Sequence, residues 1–191
     1  MKFKPALKPG KVTVEMDAGD DQLLEKGGGA AKEAPSSVNL KRILVPVDFS
    51  ACSAKALDYA FGLAEKFGAT LILLHIVEPT PYPENYMLLP QAIEEINQNL
   101  VQSARERLEL LYHKRPCPRP PVEFLVRLGH AYSEISDTAQ ALAADLIVVG
   151  THGHTGLKHV LLGSTAEKVV RQAPCPVLTV RLGANAEPEN R

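Results

Sequence analysis

The residues best suited to chemistry lie between Gly150 and Thr165. The stretch reads Gly150-Thr151-His152-Gly153-His154-Thr155-Gly156 and, after Leu157–Leu162, Gly163-Ser164-Thr165. Glycines at these positions let the backbone approach a ligand with no Cβ in the way. Gly163-Ser164-Thr165 opens a helical pattern, and the first amides of a helix face an anion with the helix dipole in the favourable sense. The hydroxyls of Ser164 and Thr165 add donors in the same direction. Such a loop could hold phosphate oxygens. The same residues would also serve as an ordinary βα connection with a capping serine. There is no G-x-x-x-x-G-K-[ST] run, so the lysine of a P-loop NTPase is absent. No G-x-G-x-x-G follows the first strand, so hydride transfer with a bound dinucleotide is not expected.

Asp48 is the second feature, directly after the first apolar run. Its carboxylate could accept ribose hydroxyls or help to hold a metal, or it could cap the helix that follows. His152 and His154 are two apart in a loop, with His159 further on, and no cysteine joins them at zinc-ligand spacing. His152 reads as a rigid polar member of the loop that donates to backbone or phosphate. His75 falls in a buried strand and reads as a satisfied core or near-core histidine. Ser164 lacks the G-x-S-x-G setting of a nucleophile. No catalytic residue and no metal-ligand set is therefore assigned.

The elements that must position these groups follow from periodicity. Ile43–Val47 is an apolar strand signal, and Leu57, Ala60, Phe61, Ala64 and Phe67 then recur at helical spacing up to Gly68. Ser50 or Ser53 can cap that helix. Thr70–Val77 is the second strand, and a loop with prolines at 79, 81 and 83 runs on to about Pro90. Ala92–His113 is a long amphipathic helix stopped by the proline-rich Arg115–Pro121. Strands at Val122–Val126, Asp145–Val149 and Val177–Val180 alternate with helices around Ile135–Leu142 and at Ser164–Gln172. Apolar strands without polar alternation, separated by helices, predict an α/β fold: an open, Rossmann-like five-stranded parallel sheet with helices on both faces. Such sheets bind ligands beyond the C-terminal ends of their strands, so Asp48, Val77 and Gly150 onward are expected at one rim. A TIM barrel, with about 250 residues and eight units, is disfavoured.

With 21 basic and 22 acidic residues the net charge is −1, which gives no reason to expect nucleic acid or an anionic membrane as partner. The longest apolar runs have strand length, and no secretory signal is expected at the N-terminus. Cys52, Cys117 and Cys175 are odd in number and far apart; they read as small buried or half-buried thiols in a reducing, cytoplasmic setting. Residues 1–39 read as a largely flexible extension with a short strand over Val12–Met16 and a linker around Gly27–Ser37. Residues 40–182 form the domain, and 183–191 a polar tail.

Taken together, the chain resembles a universal stress protein domain. The family pattern G-x2-G-x9-G-[ST] stands here as Gly150, Gly153, Gly163 and Ser164, preceded by the strand Asp145–Val149. Ile43–Ser50 resembles the family's first strand with its aspartate, and Cys175–Val180 its last strand. The resemblance implies strand order 3-2-1-4-5. It also places the chain with the ATP-binding members, that is, as an ATP-binding stress-response or regulatory protein with slow or no hydrolysis. It implies that Asp48 meets the ribose, with Pro46 and Val47 lining that pocket, and that Val77 meets adenine through its backbone. Val149 would stand at the strand end beside Gly150, His152, Gly153, Gly163, Ser164 and Thr165, which would hold ribose and phosphates. Val47 departs from the family, where threonine is frequent. Two other readings compete: a dimeric interaction module that does not use nucleotide, and an ATP-hydrolysing enzyme resting on Asp48 with Mg2+. The resemblance further implies a homodimer joined through Val177–Val180; in the rival arrangement Val12–Met16 covers that edge within one chain. Partner proteins are not legible in the residues.

Overall fold

The computed structural model describes residues 2–5, 12–15, 38–78, 90–153 and 162–182. The linker, residues 79–89, His154, Gly156, His159 and the tail from 183 lie outside the described residues. The chain divides into two compact units, residues 1–38 and 39–191. In the first, β1 (Lys2–Pro5) pairs antiparallel with β2 (Val12–Glu15), Phe3 opposite Val14. The strand expected at 12–16 thus has a partner that the sequence reading did not identify, and it is not part of the larger sheet.

The second unit runs β3 (Arg42–Pro46), α1 (Ala51–Phe67), β4 (Thr70–Val77), α2 (Pro90–His113), β5 (Val122–Leu128), α3 (Ala131–Ala141), β6 (Leu146–Gly150), α4 (Ser164–Gln172) and β7 (Val177–Val180). The five strands form one sheet in the order β5-β4-β3-β6-β7, all parallel. Counted from β3 this is the expected 3-2-1-4-5. Parallel neighbours need crossovers, and the intervening helices supply them on both faces. On one face Ala56, Leu57, Ala60 and Ala64 of α1 and Leu108 and Tyr112 of α2 pack on Ile43, Val45, Leu71 and Leu73. On the other, Ile135 and Ala139 of α3 and Val169 of α4 pack on Leu44, Ile72, Leu74 and Ile147. The alternation of β3 and β4 between the two clusters explains why Ile43–Val45 and Leu71–Leu74 are apolar without a break.

Local chemistry sets the boundaries. Ser50 caps α1 by accepting from the Ser53 amide at 3.2 Å. Gly68 ends α1 in the left-handed region, φ 67°, which glycine enters without Cβ strain. Helix α2 begins at Pro90, two residues earlier than expected, since proline is tolerated in a helix's first turn. Asp145 stands just before β6 rather than inside it, because its carboxylate accepts the amides of Lys41 and Arg42 at 2.7 and 2.9 Å. That contact joins the N-terminal ends of β3 and β6.

Candidate functional site

A cavity of about 390 Å³ opens at the C-terminal ends of β4, β3 and β6, where an open parallel sheet leaves a crevice as its strand order reverses. Chain order doubles back at β3, which lies between β4 and β6. Neighbouring strands are about 4.8 Å apart, so β4 and β6 present their ends roughly 10 Å from each other across β3. Of the predicted site residues, Pro46, Val47, Asp48, Val149, Gly150, His152, Gly153, Gly163, Ser164 and Thr165 all line this cavity. Val77 does not.

The displacement of Val77 follows from strand alternation. Its carbonyl accepts the Gly129 amide at 3.1 Å, which directs its backbone toward β5. The Leu74 carbonyl accepts the Val47 amide at 2.8 Å, so Leu74 faces β3. Backbone groups alternate sides along a strand, and Ile76 therefore turns its N–H and C=O to the β3 side, beyond the last residue of β3. Ile76 lines the cavity, together with His75 and Glu78. The Nδ1 of His75 lies 2.7 Å from the Val47 carbonyl, so Nδ1 carries the proton and donates. This histidine is near-core and satisfied, half-buried at the cavity wall, and its ring packs on Phe49 at 4.6 Å between centroids.

Asp48 does two things. Its Oδ1 accepts from the Ser50 amide at 3.0 Å and the Ser50 hydroxyl at 2.6 Å, an Asx turn that presents Ser50 to α1. The turn carries Phe49 through φ 65°, a region bulky residues seldom occupy and one found enriched at ligand sites. Its Oδ2 lies against the glycine loop: a Cβ built on Gly153 would stand 2.8 Å from it. The two sequence readings of Asp48, helix start or ligand rim, are served by different oxygens of one carboxylate.

The glycines of the loop are needed for space. A Cβ on Gly150 would sit 3.0 Å from both the backbone carbon and the Sγ of Cys52, and one on Gly163 3.0 Å from the Thr151 carbonyl. Gly163 is the N-cap of α4 and makes no side-chain cap hydrogen bond. The N-terminus of α3 also reaches the cavity, but its Ala131 amide already donates to Oε1 of Glu78 at 3.3 Å. One amide at the α3 end is thus met by a carboxylate, whereas Gly163 brings no side chain to the α4 end, so the two helix ends that reach the cavity differ in local charge. No lysine or arginine stands among the described lining residues.

Sequence reasoning missed Ser53, His75, Ile76, Glu78, Ala131, Ile135, Thr151 and Ala166 as lining residues. For Ile76 the deciding signal is its parity with Leu74, whose ladder bond only the structure reveals. Among the described residues no group of three or more His, Cys, Asp or Glu could hold a metal ion, and no helix is long and apolar enough to cross a membrane. All three cysteines are free. Burial and the nearby Asp145 carboxylate push the Cys175 thiol up, away from the reactive thiolate form; Cys117 is exposed and Cys52 buried.

The sequence profile of the universal stress protein family matches residues 39–181. Universal stress protein YxiE of Bacillus subtilis is 35 % identical over 145 residues, covering 73 % of this chain and 98 % of that protein. Universal stress protein MJ0531 of Methanocaldococcus jannaschii is 32 % identical over 146 residues, covering 74 % of this chain and 82 % of that protein. Among solved structures, universal stress protein UspA from Lactobacillus plantarum superposes with a TM-score of 0.61 at 29 % identity, over 75 % of this chain and 99 % of that one.

Proposed function

The chain belongs to the universal stress protein family, and we propose that it binds ATP in the cavity across β4, β3 and β6 and hydrolyses it slowly or not at all. Residues 40–182 would be the nucleotide-binding domain, with 1–39 an N-terminal extension and 183–191 a polar tail. The observation that carries the reading is the cradle at the α4 end. A Cβ on Gly150 or Gly163 would stand only 3.0 Å from backbone atoms and one on Gly153 2.8 Å from the Asp48 carboxylate, and these close-packed glycines stand beside a helix N-terminus with no side-chain cap, which is how backbone amides are brought to phosphate oxygens. The base would lie over β4, where the Ile76 backbone supplies a donor and an acceptor. The ribose would sit over β3 against Asp48, and the phosphates at Gly150, His152, Gly153, Gly163, Ser164 and Thr165. Glu78 supports this orientation, because a carboxylate at α3 repels a phosphate placed there. Mg2+ would be held chiefly by phosphate oxygens with Asp48, in keeping with a cation that takes one or two carboxylates and keeps its waters.

Slow turnover is supported by the lining. Phosphoryl transfer depends on cations that neutralise charge on the transferred group, and the described lining residues include none from lysine or arginine. Three unbridged cysteines support a cytoplasmic setting. The primary test is the thermal midpoint with and without millimolar ATP and Mg2+: a ligand of the folded state must raise it. An unchanged midpoint would favour the reading as a nucleotide-independent interaction module, whereas phosphate release at about 1 per second or faster would favour an enzyme.

The divided role of Asp48 gives a sharper test. Asp48→Asn keeps an oxygen for the Ser50 turn but presents an amide where Oδ2 stood. It should weaken ATP by about 1–2 kcal/mol, the scale for a lost charged acceptor, and leave the ligand-free midpoint nearly unchanged. Asp48→Ala should lower both affinity and midpoint, because the turn loses its acceptor too. Calorimetry with thermal melts reads the two effects separately, and unaltered ATP affinity in the asparagine variant would remove Asp48 from the site.

A further inference from the structure

Thr151 is 2 % exposed, the most deeply buried polar residue among those described. Its amide donates to the Val180 carbonyl at 2.8 Å, and its carbonyl accepts from the Gly163 amide at 2.7 Å. Its hydroxyl stands 2.9 Å from Nδ1 of His152 and 4.0 Å from Sγ of Cys52. The Cys52 thiol in turn donates to the Val180 carbonyl at 3.3 Å.

Between the Thr151 hydroxyl and a neutral His152 ring two proton arrangements are possible, since a hydroxyl has one hydrogen and a neutral imidazole carries one N–H. In the first, the hydroxyl donates to Nδ1 and the ring proton sits on Nε2. In the second, Nδ1–H donates to the hydroxyl, whose own hydrogen must then find Sγ at 4.0 Å. Sulfur is a weak acceptor, and that separation is at the limit of contact. A buried hydroxyl left without an acceptor is penalised, so the first arrangement wins.

We propose that Thr151 is a positioning residue: it locks His152 as the Nε2–H tautomer and so holds it as a donor for the phosphate end of the cavity. The Cα of His152 lies 3.9 Å from where a Gly163 Cβ would stand, and the residue lines the cavity. An N–H there matches phosphate oxygens or the loop backbone that cradles them. An unprotonated Nε2 could offer anionic oxygen only a lone pair. The inference rests on the nucleotide reading of the cavity. It adds that Thr151 acts on the phosphates and leaves base and ribose untouched.

The experiment uses the full chain with 15N-labelled histidine, its Thr151→Val and Thr151→Ser variants, and two probes, ATP and adenosine. The wild-type spectrum should show His152 with a pyrrole-type Nε2 and a pyridine-type Nδ1. Thr151→Val keeps the side-chain shape but not the hydroxyl. It should populate the Nδ1–H form and bind ATP about tenfold more weakly, the scale of one hydrogen bond, with adenosine affinity unchanged. Thr151→Ser should restore both the spectrum and ATP affinity. A wild-type ring protonated at Nδ1 overturns the proposal, as does an equal loss for adenosine and ATP in Thr151→Val, which would mark a packing role. If the wild type binds neither probe, the nucleotide reading fails instead, and the wild-type spectrum still decides whether the lock exists. That measurement does not depend on a variant folding.

Discussion

Replacing Gly153 and Gly163 together by valine should remove the ATP binding proposed for this cavity and leave the five-stranded sheet folded. Gly163 has φ −66° and ψ 155°, an extended conformation open to any residue, so its glycine answers to space and not to backbone freedom. A Cβ there meets the Thr151 carbonyl at 3.0 Å, and that carbonyl already accepts the Gly163 amide at 2.7 Å. Neither partner can step back without opening the turn that leads into α4. At Gly153 the collision is with Asp48 Oδ2 at 2.8 Å, the end of a side chain that can swing aside. The two singles should therefore differ, Gly163→Ala costing more affinity than Gly153→Ala. Valine at both sites places branched carbons where phosphate oxygens must meet backbone amides. Neither glycine belongs to either core cluster, so circular dichroism should report an intact fold. Titration calorimetry on the folded double variant is the decisive measurement, and wild-type ATP affinity would reject the site.

The contrast between these glycines and Val77 indicates what can be read from residues alone. The loop was legible because its chemistry is local: glycines, hydroxyls and a helix start follow one another in sequence, and ten of the eleven predicted residues line the cavity. On the β4 side the predicted Val77 stands one residue past Ile76, which lines the cavity. Thr70–Val77 is apolar on both faces, with Leu71 and Leu73 in one cluster and Ile72 and Leu74 in the other. With no polar alternation to set its phase, only the ladder bonds of Leu74 and Val77 reveal which backbone groups face β3. Glu78, Ala131 and Ile135 were out of reach for another reason: they come to the cavity through the packing of α3 on the sheet, between elements distant in sequence. The hairpin of the first unit was half legible. Val12, Val14 and Met16 alternate with polar residues, whereas Lys2–Pro5 carries Phe3 between two lysines and ends in proline, a weak strand signal.

Thr179→Pro should split a homodimer that we propose is joined through Val177–Val180. Strand β7 ends the sheet, with β6 on one side only, and Leu178 and Thr179 are exposed there. An uncovered edge of this kind invites pairing unless something blunts it, and antiparallel pairing with its own copy about a two-fold axis would satisfy both edges at once. The choice of residue follows from the ladder. The carbonyls of Pro176 and Val180 accept amides of Ile147 and Thr151, so these residues, and Leu178 between them, turn their backbones toward β6. Val177 and Thr179 turn theirs outward. Proline at 178 would therefore cut the sheet's own ladder and confuse unfolding with dissociation. Proline at 179 removes one outward amide and is tolerated on an edge. Light scattering should report a dimer for the full chain and a monomer for Thr179→Pro, with the thermal midpoint of the variant becoming independent of protein concentration. Residues 39–191, expressed without the first unit, should still dimerise. A dimer that survives Thr179→Pro would place the interface on another surface, and a full-length monomer that dimerises only after the first unit is removed would make that unit the cover of the edge.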